Sequence, residues 1–380
     1  MKKFVLVPDS FKGTMSSAQV CAAMEAGIRT VFPEAAAVSL PVADGGEGSA
    51  DAFLTALGGE KVSLRVTGPQ GTELDSFYAL LPDGTAVIEM AAAAGLPQMT
   101  GEKDPEKTTT YGVGELLRHA ANHGAKRAVM CLGGSATNDG GCGAAAACGV
   151  RFLNEAGEAF VPVGGTLQSV AAVDLSGMDS AVQALDIVTM CDIDNPLCGP
   201  TGAAAVFGPQ KGADAAMVAR LDAGLHHLAE VLRRCLGADV EDLPGAGAAG
   251  GMGAGMAAFF RSRLQPGIET VLDTVRFGEV VRDADLILTG EGKLDSQSLR
   301  GKVVSGVAKR AGGVPVIAVV GDVGDGIETV YGMGVTAVFS INRVAVPYEK
   351  ARLRAEGDLR ATVTDIMRLL KMSETLTGKD

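Results

Sequence analysis

The chain has 380 residues, 47% of them apolar, and a formal charge of -12. That is long enough for two domains with cores of their own, while the acidic balance excludes nucleic acid and anionic membrane as partners, since neither is attracted to such a field. With 52 glycines, no Trp and 4% aromatic residues, the composition points to an α/β protein with many tight strand-to-helix turns. The seven cysteines are an odd number without a Cys-x-x-Cys pair, which reads as reduced thiols in a cytoplasmic protein and not as a disulfide framework or zinc site. The N-terminus reads as a first strand, not a signal peptide, and no apolar run approaches the length of a membrane span.

In chain order, Phe4 to Val7 reads as a buried parallel strand followed by the loop Asp9 to Gly13. Ser16 and Gln19 fit a capping box for a helix ending before Pro33. A second strand over Val38 to Val42 leads into the loop Ala43 to Gly48 and a helix closing at Gly58 and Gly59. From Lys61 the segments 62–66, 76–80 and 86–90 read as an antiparallel meander, so a new domain is expected there. Arg127 to Leu132 reads as a buried strand, the polar turn Gly133 to Gly141 follows it, and an Ala-rich helix begins near Gly143. Asp186 to Met190 is a strand leading into Asp192 to Pro196, and 213–236 has helical spacing.

Near Asp283 the alternation of strand and helix returns, with strands at 285–288, 316–320 and 337–341, a helix at 303–311 and a last helix to about Met372. These strands share the character of Phe4 to Val7. The expectation is therefore an α/β protein of two domains: a discontinuous Rossmann- or flavodoxin-like parallel-sheet domain over 1–60 and 283–380, and an inserted α/β domain with a mixed sheet over 61–282.

Five loops combine glycines with Asp, Glu, Lys, Ser or Thr at the carboxyl ends of these strands: 9–13, 44–48, 133–141, 192–196 and 289–298. Open α/β sheets bind ligands there. The turn at Gly133, Gly134, Ser135, Thr137 and Asn138, ahead of a helix N-terminus, is suited to a phosphate or carboxylate. Carboxylates beside such amides suit metal-assisted phosphoryl transfer, and Lys12 can supply a point charge, with Lys211 and Lys302 as lesser alternatives. The four histidines fall on helical segments outside these loops. A literal G-x-G-x-x-G begins at Gly245, but no strand precedes it, so a nicotinamide-dependent dehydrogenase of a small hydroxy acid is only a rival reading. A non-catalytic small-anion binder is another, and the many loop carboxylates argue against it.

The blocks Asp9 to Gly13, Ala43 to Gly48, Gly133 to Gly141, Cys191 to Pro196, Val206 to Gly212, Gly245 to Gly251 and Thr289 to Asp295 resemble, in order, the signature blocks of the type-1 glycerate kinase family. One departure is Val304, where the family often has proline. The resemblance implies a two-domain cytoplasmic enzyme that uses ATP and Mg²⁺ to phosphorylate D-glycerate, with 2-phosphoglycerate the favoured product, 3-phosphoglycerate the alternative and a homo-oligomer compatible with it. Residue type and loop position then suggest Asp192 as base for the glycerate hydroxyl, with Glu291 as alternate. Lys12 would balance charge. Ser10, Gly133, Gly134, Ser135, Thr137 and Asn138 would hold phosphates, and Asp44, Glu47 and Asp295 the metal.

Overall fold

The computed structural model describes residues 1–42, 45–295 and 302–377. Its contacts divide the chain into two compact units, Met1–Asp44 with Ile268–Asp380, and Gly45–Gly267.

In the first unit the apolar run at the N-terminus forms the strand Lys3–Pro8, whose residues Phe4 to Val7 are buried. It pairs in parallel with Leu286–Gly290 on one side and Ala36–Ser39 on the other. The full order is Ala337–Ser340, Val316–Val320, Leu286–Gly290, Lys3–Pro8, Ala36–Ser39. Counted within this unit it is the flavodoxin-like order, and its direction reverses between the first strand and the third. In such sheets the crevice outside the carboxyl ends at that reversal is where ligands bind. The loops that leave Pro8 and Gly290 therefore flank this unit's ligand position.

The helix Ser17–Arg29 starts as the sequence predicts: Gln19 N–H donates to Ser16 Oγ at 3.3 Å and Ser16 N–H to Gln19 Oε1 at 2.9 Å. It packs against the last helix, Ala355–Thr377. Gly27 permits the close approach, since a Cβ there would lie 2.8 Å from the Arg360 carbonyl oxygen. The last helix continues past the expected end near Met372, and Glu374 on it pairs with Lys2 at 2.5 Å.

The second unit has a six-stranded mixed sheet. Arg263–Gln265, Asp186–Met190, Arg127–Cys131 and Thr85–Glu89 run parallel, and the antiparallel Glu73–Leu80 and Glu60–Thr67 complete it. A separate three-stranded antiparallel sheet, Ala159–Phe160, Arg151–Leu153 and Ala172–Asp174, was not expected. Its strands are too short to show a period of two in the sequence.

The division falls at 44/45 and 267/268, whereas the sequence suggests 60/61 and 282/283. The helix Ser49–Leu57 belongs to the second unit because Ala50 N–H donates to Glu89 Oε1 at 2.6 Å. The helix Gly267–Thr274 is tied to the first unit, where a Cβ on Gly306 would lie 2.7 Å from Ile268 and Arg310 pairs with Asp273 at 2.7 Å. Neither helix differs in composition from its sequence neighbours. Among the described residues no helix is long and apolar enough to cross a membrane.

Candidate active site

At the carboxyl end of the mixed sheet, the strand Thr85–Glu89 ends in a carboxylate that is 3% exposed. Glu89 accepts the N–H groups of Gly48 at 3.2 Å and Ala50 at 2.6 Å, at the start of the helix Ser49–Leu57. Burial pushes its pKa up, and those two amides oppose the shift. Glu89 escaped the sequence reading because it sits within the apolar run Ala86 to Met90.

Next to it, Gly133 N–H donates to the Gly45 carbonyl at 2.8 Å, and a Cβ on Gly133 would lie 2.6 Å from Gly46 Cα. The loop that carries exposed Glu47 thus lies directly on the Gly133 turn. Asp44, the other expected metal ligand of that loop, lies outside the described residues. Asp192 is exposed just past the strand Asp186–Met190, and its Oδ1 accepts the Gly267 N–H at 2.7 Å.

The turn 133–141 differs from the open amide cradle that the sequence suggests. Gly134 is exposed and Gly133 half-buried, but Ser135, Thr137, Asn138 and Asp139 are buried. Several of its amides are engaged internally: Ala136 N–H donates to Ala94 O at 2.9 Å, Gly140 N–H to Gly250 O at 3.1 Å and Gly141 N–H to Asp139 Oδ1 at 3.1 Å. Asp139 Oδ2 accepts from Thr110 N–H and Thr110 Oγ1, both at 2.8 Å, and from Gly143 N–H at 3.2 Å. Burial raises the Asp139 pKa despite these donors. Helix-first-turn amides expected to face a ligand instead hold this internal carboxylate.

Lys211 is the other organiser, and it is no surface cation. Its side chain is 2% exposed, and Nζ donates to Ser135 Oγ at 2.8 Å and to the Thr137 carbonyl at 2.6 Å. Ser135 is therefore a partner of Lys211 before it is a partner of any phosphate. Thr137 Oγ1 and both amide atoms of Asn138 are buried and have no hydrogen-bond partner among the described residues. Buried polar atoms of that kind cost free energy unless a water or ligand meets them.

Burial pushes the Lys211 pKa down to about 7, while Asp139 acts to raise it. The unfolded chain holds this proton up to the ordinary value of 10.5. Between those values the unfolded state binds more protons, so folding stability contributed by Lys211 rises with pH, by at most about 1.4 kcal/mol per unit. Urea unfolding of the wild type and Lys211→Met at pH 7, 8 and 9 is expected to show the wild type gaining on the variant at each step. A difference independent of pH would mean that Lys211 keeps its proton in the folded protein.

The Gly245 to Gly255 run explains itself by packing. It follows a loop, not a strand. A Cβ on Gly250, where φ is +69°, would lie 2.0 Å from the Thr137 carbonyl oxygen, and one on Gly255 would lie 2.4 Å from that of Gly140. These glycines let one backbone lie on another, so the literal G-x-G-x-x-G is not a dinucleotide turn.

In the parallel-sheet unit, the two loops at the strand-order reversal lie together. Asp9 N–H donates to Gly290 O at 2.8 Å, and a Cβ on Gly292 would lie 3.5 Å from Lys12 N. Ser10 is half-buried, with its N–H on Asp9 Oδ1 at 2.6 Å, and Lys12 is exposed. Glu291 is 4% exposed, and its backbone carbonyl accepts Gly321 N–H at 3.0 Å. Asp295 is half-buried beside Gly324. Ser10, Lys12, Glu291 and Asp295 thus share one sheet end, while 296–298 of the expected loop lie outside the described residues.

Each unit thus presents polar loops at the carboxyl ends of parallel strands, the position at which α/β proteins bind small ligands. The sequence matches the glycerate kinase family over residues 4–371. It is 45% identical over 375 residues to a glycerate kinase of Bacillus cereus, covering 98% of each chain. It is also 45% identical over 343 residues to the glycerate 2-kinase of Escherichia coli K12, covering 89% of this chain and 90% of that one. The crystal structure of a candidate glycerate kinase 2 from Salmonella typhimurium LT2 superposes with a TM-score of 0.87 at 42% identity, covering 98% of this chain and 99% of that one. The chain belongs to the glycerate kinase family, and it is a kinase of that family.

Proposed function

We propose that this kinase transfers the γ-phosphate of ATP to D-glycerate and releases 2-phospho-D-glycerate in the cytoplasm. The observation that carries the reading is the 45% identity, over 343 residues, to the E. coli protein named glycerate 2-kinase.

Asp192 is the base. It takes the proton of the glycerate hydroxyl as that oxygen bonds to the γ-phosphorus, and the bond from that phosphorus to the bridging oxygen breaks with its electron pair leaving on ADP. Exposed Asp192 can meet a substrate directly, which suits it better to this role than buried Glu291. Exposed Lys12 balances charge on the transferred phosphoryl group or the glycerate carboxylate. In the Gly45–Gly267 unit the candidate phosphate donors are Gly134 and the Thr137 and Asn138 side chains, which have no hydrogen-bond partner among the described residues; Gly133 would shape that turn with its N–H held by Gly45, Ser135 acts through Lys211, and Ser10 is the candidate donor of the parallel-sheet unit. Carboxylates would hold Mg²⁺, which would supply charge neutralisation on the phosphates of ATP. Solvent-facing Glu47 in one unit and half-buried Asp295 in the other are each an oxygen donor of the kind such a cation takes, and Asp44 is the remaining candidate.

The test follows ADP formation from ATP and Mg²⁺ with D-glycerate, L-glycerate, lactate or glycerol as acceptor. Turnover is expected with D-glycerate alone among them. ADP release that ignores D-glycerate, or that prefers another acceptor, would overturn the substrate assignment.

A further inference from the structure

We propose that Cys198, His226 and Glu241 form a binding site for a zinc-class divalent cation, separate from the Mg²⁺ donors above. Each offers one ligand atom, and these atoms all lie within 4.8 Å of one another. They come from three segments: Cys198 from the loop after the strand Asp186–Met190, His226 from the long helix Ala215–Leu236, and Glu241 from the loop that follows it.

The backbone already holds these segments together. Leu197 N–H donates to the Glu241 carbonyl at 2.9 Å, and Gly199 N–H donates to Asp222 Oδ1, one helical turn before His226, at 2.9 Å. His226 Nδ1 and Glu241 Oε1 are hydrogen-bonded at 2.6 Å. A tetrahedral ion with bonds of about 2.0–2.3 Å to N, O and S holds its ligand atoms roughly 3.3–3.7 Å apart, so the His226–Glu241 pair must open by roughly 0.7 Å in place of the proton, and any pair standing near the 4.8 Å limit must close by about 1 Å, within reach of side-chain rotation.

The donor chemistry selects the metal. Thiolate, imidazole and carboxylate together suit Zn²⁺, whereas Mg²⁺ and Ca²⁺ favour oxygen alone. The charges around the three ligands are mixed: Asp222 lies one helical turn from His226, while Arg233 pairs with the other Glu241 oxygen at 3.5 Å and would keep that pairing as Oε1 turns to the ion. Zn²⁺ displaces the thiol proton on coordinating sulfur. Half-exposed His226 leaves the fourth position open to water. The ion would brace the loop that carries Asp192 against the long helix without entering the reaction.

Full-length protein stripped by chelator and titrated with Co²⁺ tests this. Expected are one saturable equivalent, a thiolate-to-cobalt charge-transfer band with tetrahedral d–d absorption, and bleaching by added Zn²⁺. Cys198→Ser should abolish the charge-transfer band. His226→Ala, at an exposed helix position, should weaken Zn²⁺ binding by at least about tenfold with unchanged circular dichroism. No saturable band in the wild type, a band that survives Cys198→Ser and so belongs to Cys191 or Cys235, or unchanged affinity in His226→Ala would each overturn the site.

Discussion

Asp192→Asn is expected to lower kcat on D-glycerate by about 10²–10⁴-fold, the range that a positioned general base contributes. The substitution isolates the proton acceptor. Asn keeps an oxygen for the Gly267 N–H, which Asp192 Oδ1 now accepts at 2.7 Å, and the position is exposed, so packing is unaffected. Stability should stay within about 0.5 kcal/mol of the wild type, as for surface changes generally, and KM for ATP should change little because the loss falls on the transition state. Steady-state kinetics with paired urea unfolding checks both parts. A kcat within threefold of the wild type would remove Asp192 from the role of base and transfer the search to Glu291.

Asp139→Ala should destabilise the Gly45–Gly267 unit by about 4 kcal/mol, because it strips the acceptor from buried donors that cost about 1–3 kcal/mol each when unmet. Thr110 N–H, Thr110 Oγ1, Gly141 N–H and Gly143 N–H all end on this carboxylate. Lys211 also loses the charge that raises its pKa. Asp139→Asn should recover only part of the loss, since its NH₂ must face N–H groups. Urea unfolding of the three proteins measures the series. A loss under about 1 kcal/mol for Asp139→Ala would mean that water meets those donors and that the turn is not organised by this residue.

The parts of the molecule visible in the sequence are those with local signatures. The run Phe4 to Val7 is apolar because both faces of its strand are covered, and Ser16 with Gln19 satisfies a helix start within four residues. The loops at the strand ends were visible for the same reason: polar residues and glycines interrupt apolar runs.

What was hidden depends on contacts between distant segments. The Lys211 amine meets Ser135 across 76 residues, so nothing near either residue marks one as a buried lysine or the other as its acceptor. Glu89 hides in an apolar run because its partners are backbone amides of another segment. The Gly245 to Gly255 run imitates a dinucleotide motif because close backbone packing on Thr137 and Gly140 demands glycine as firmly as a phosphate would.

The most direct test of the kinase reading mixes the protein with ATP, Mg²⁺ and D-glycerate, then adds enolase and follows phosphoenolpyruvate, with phosphoglycerate mutase first withheld and then supplied. Signal before the mutase is the predicted result, since enolase accepts only the 2-phosphate. Signal only after the mutase would contradict the assigned hydroxyl, and no signal in either stage, with no ADP formed, would contradict glycerate as the substrate.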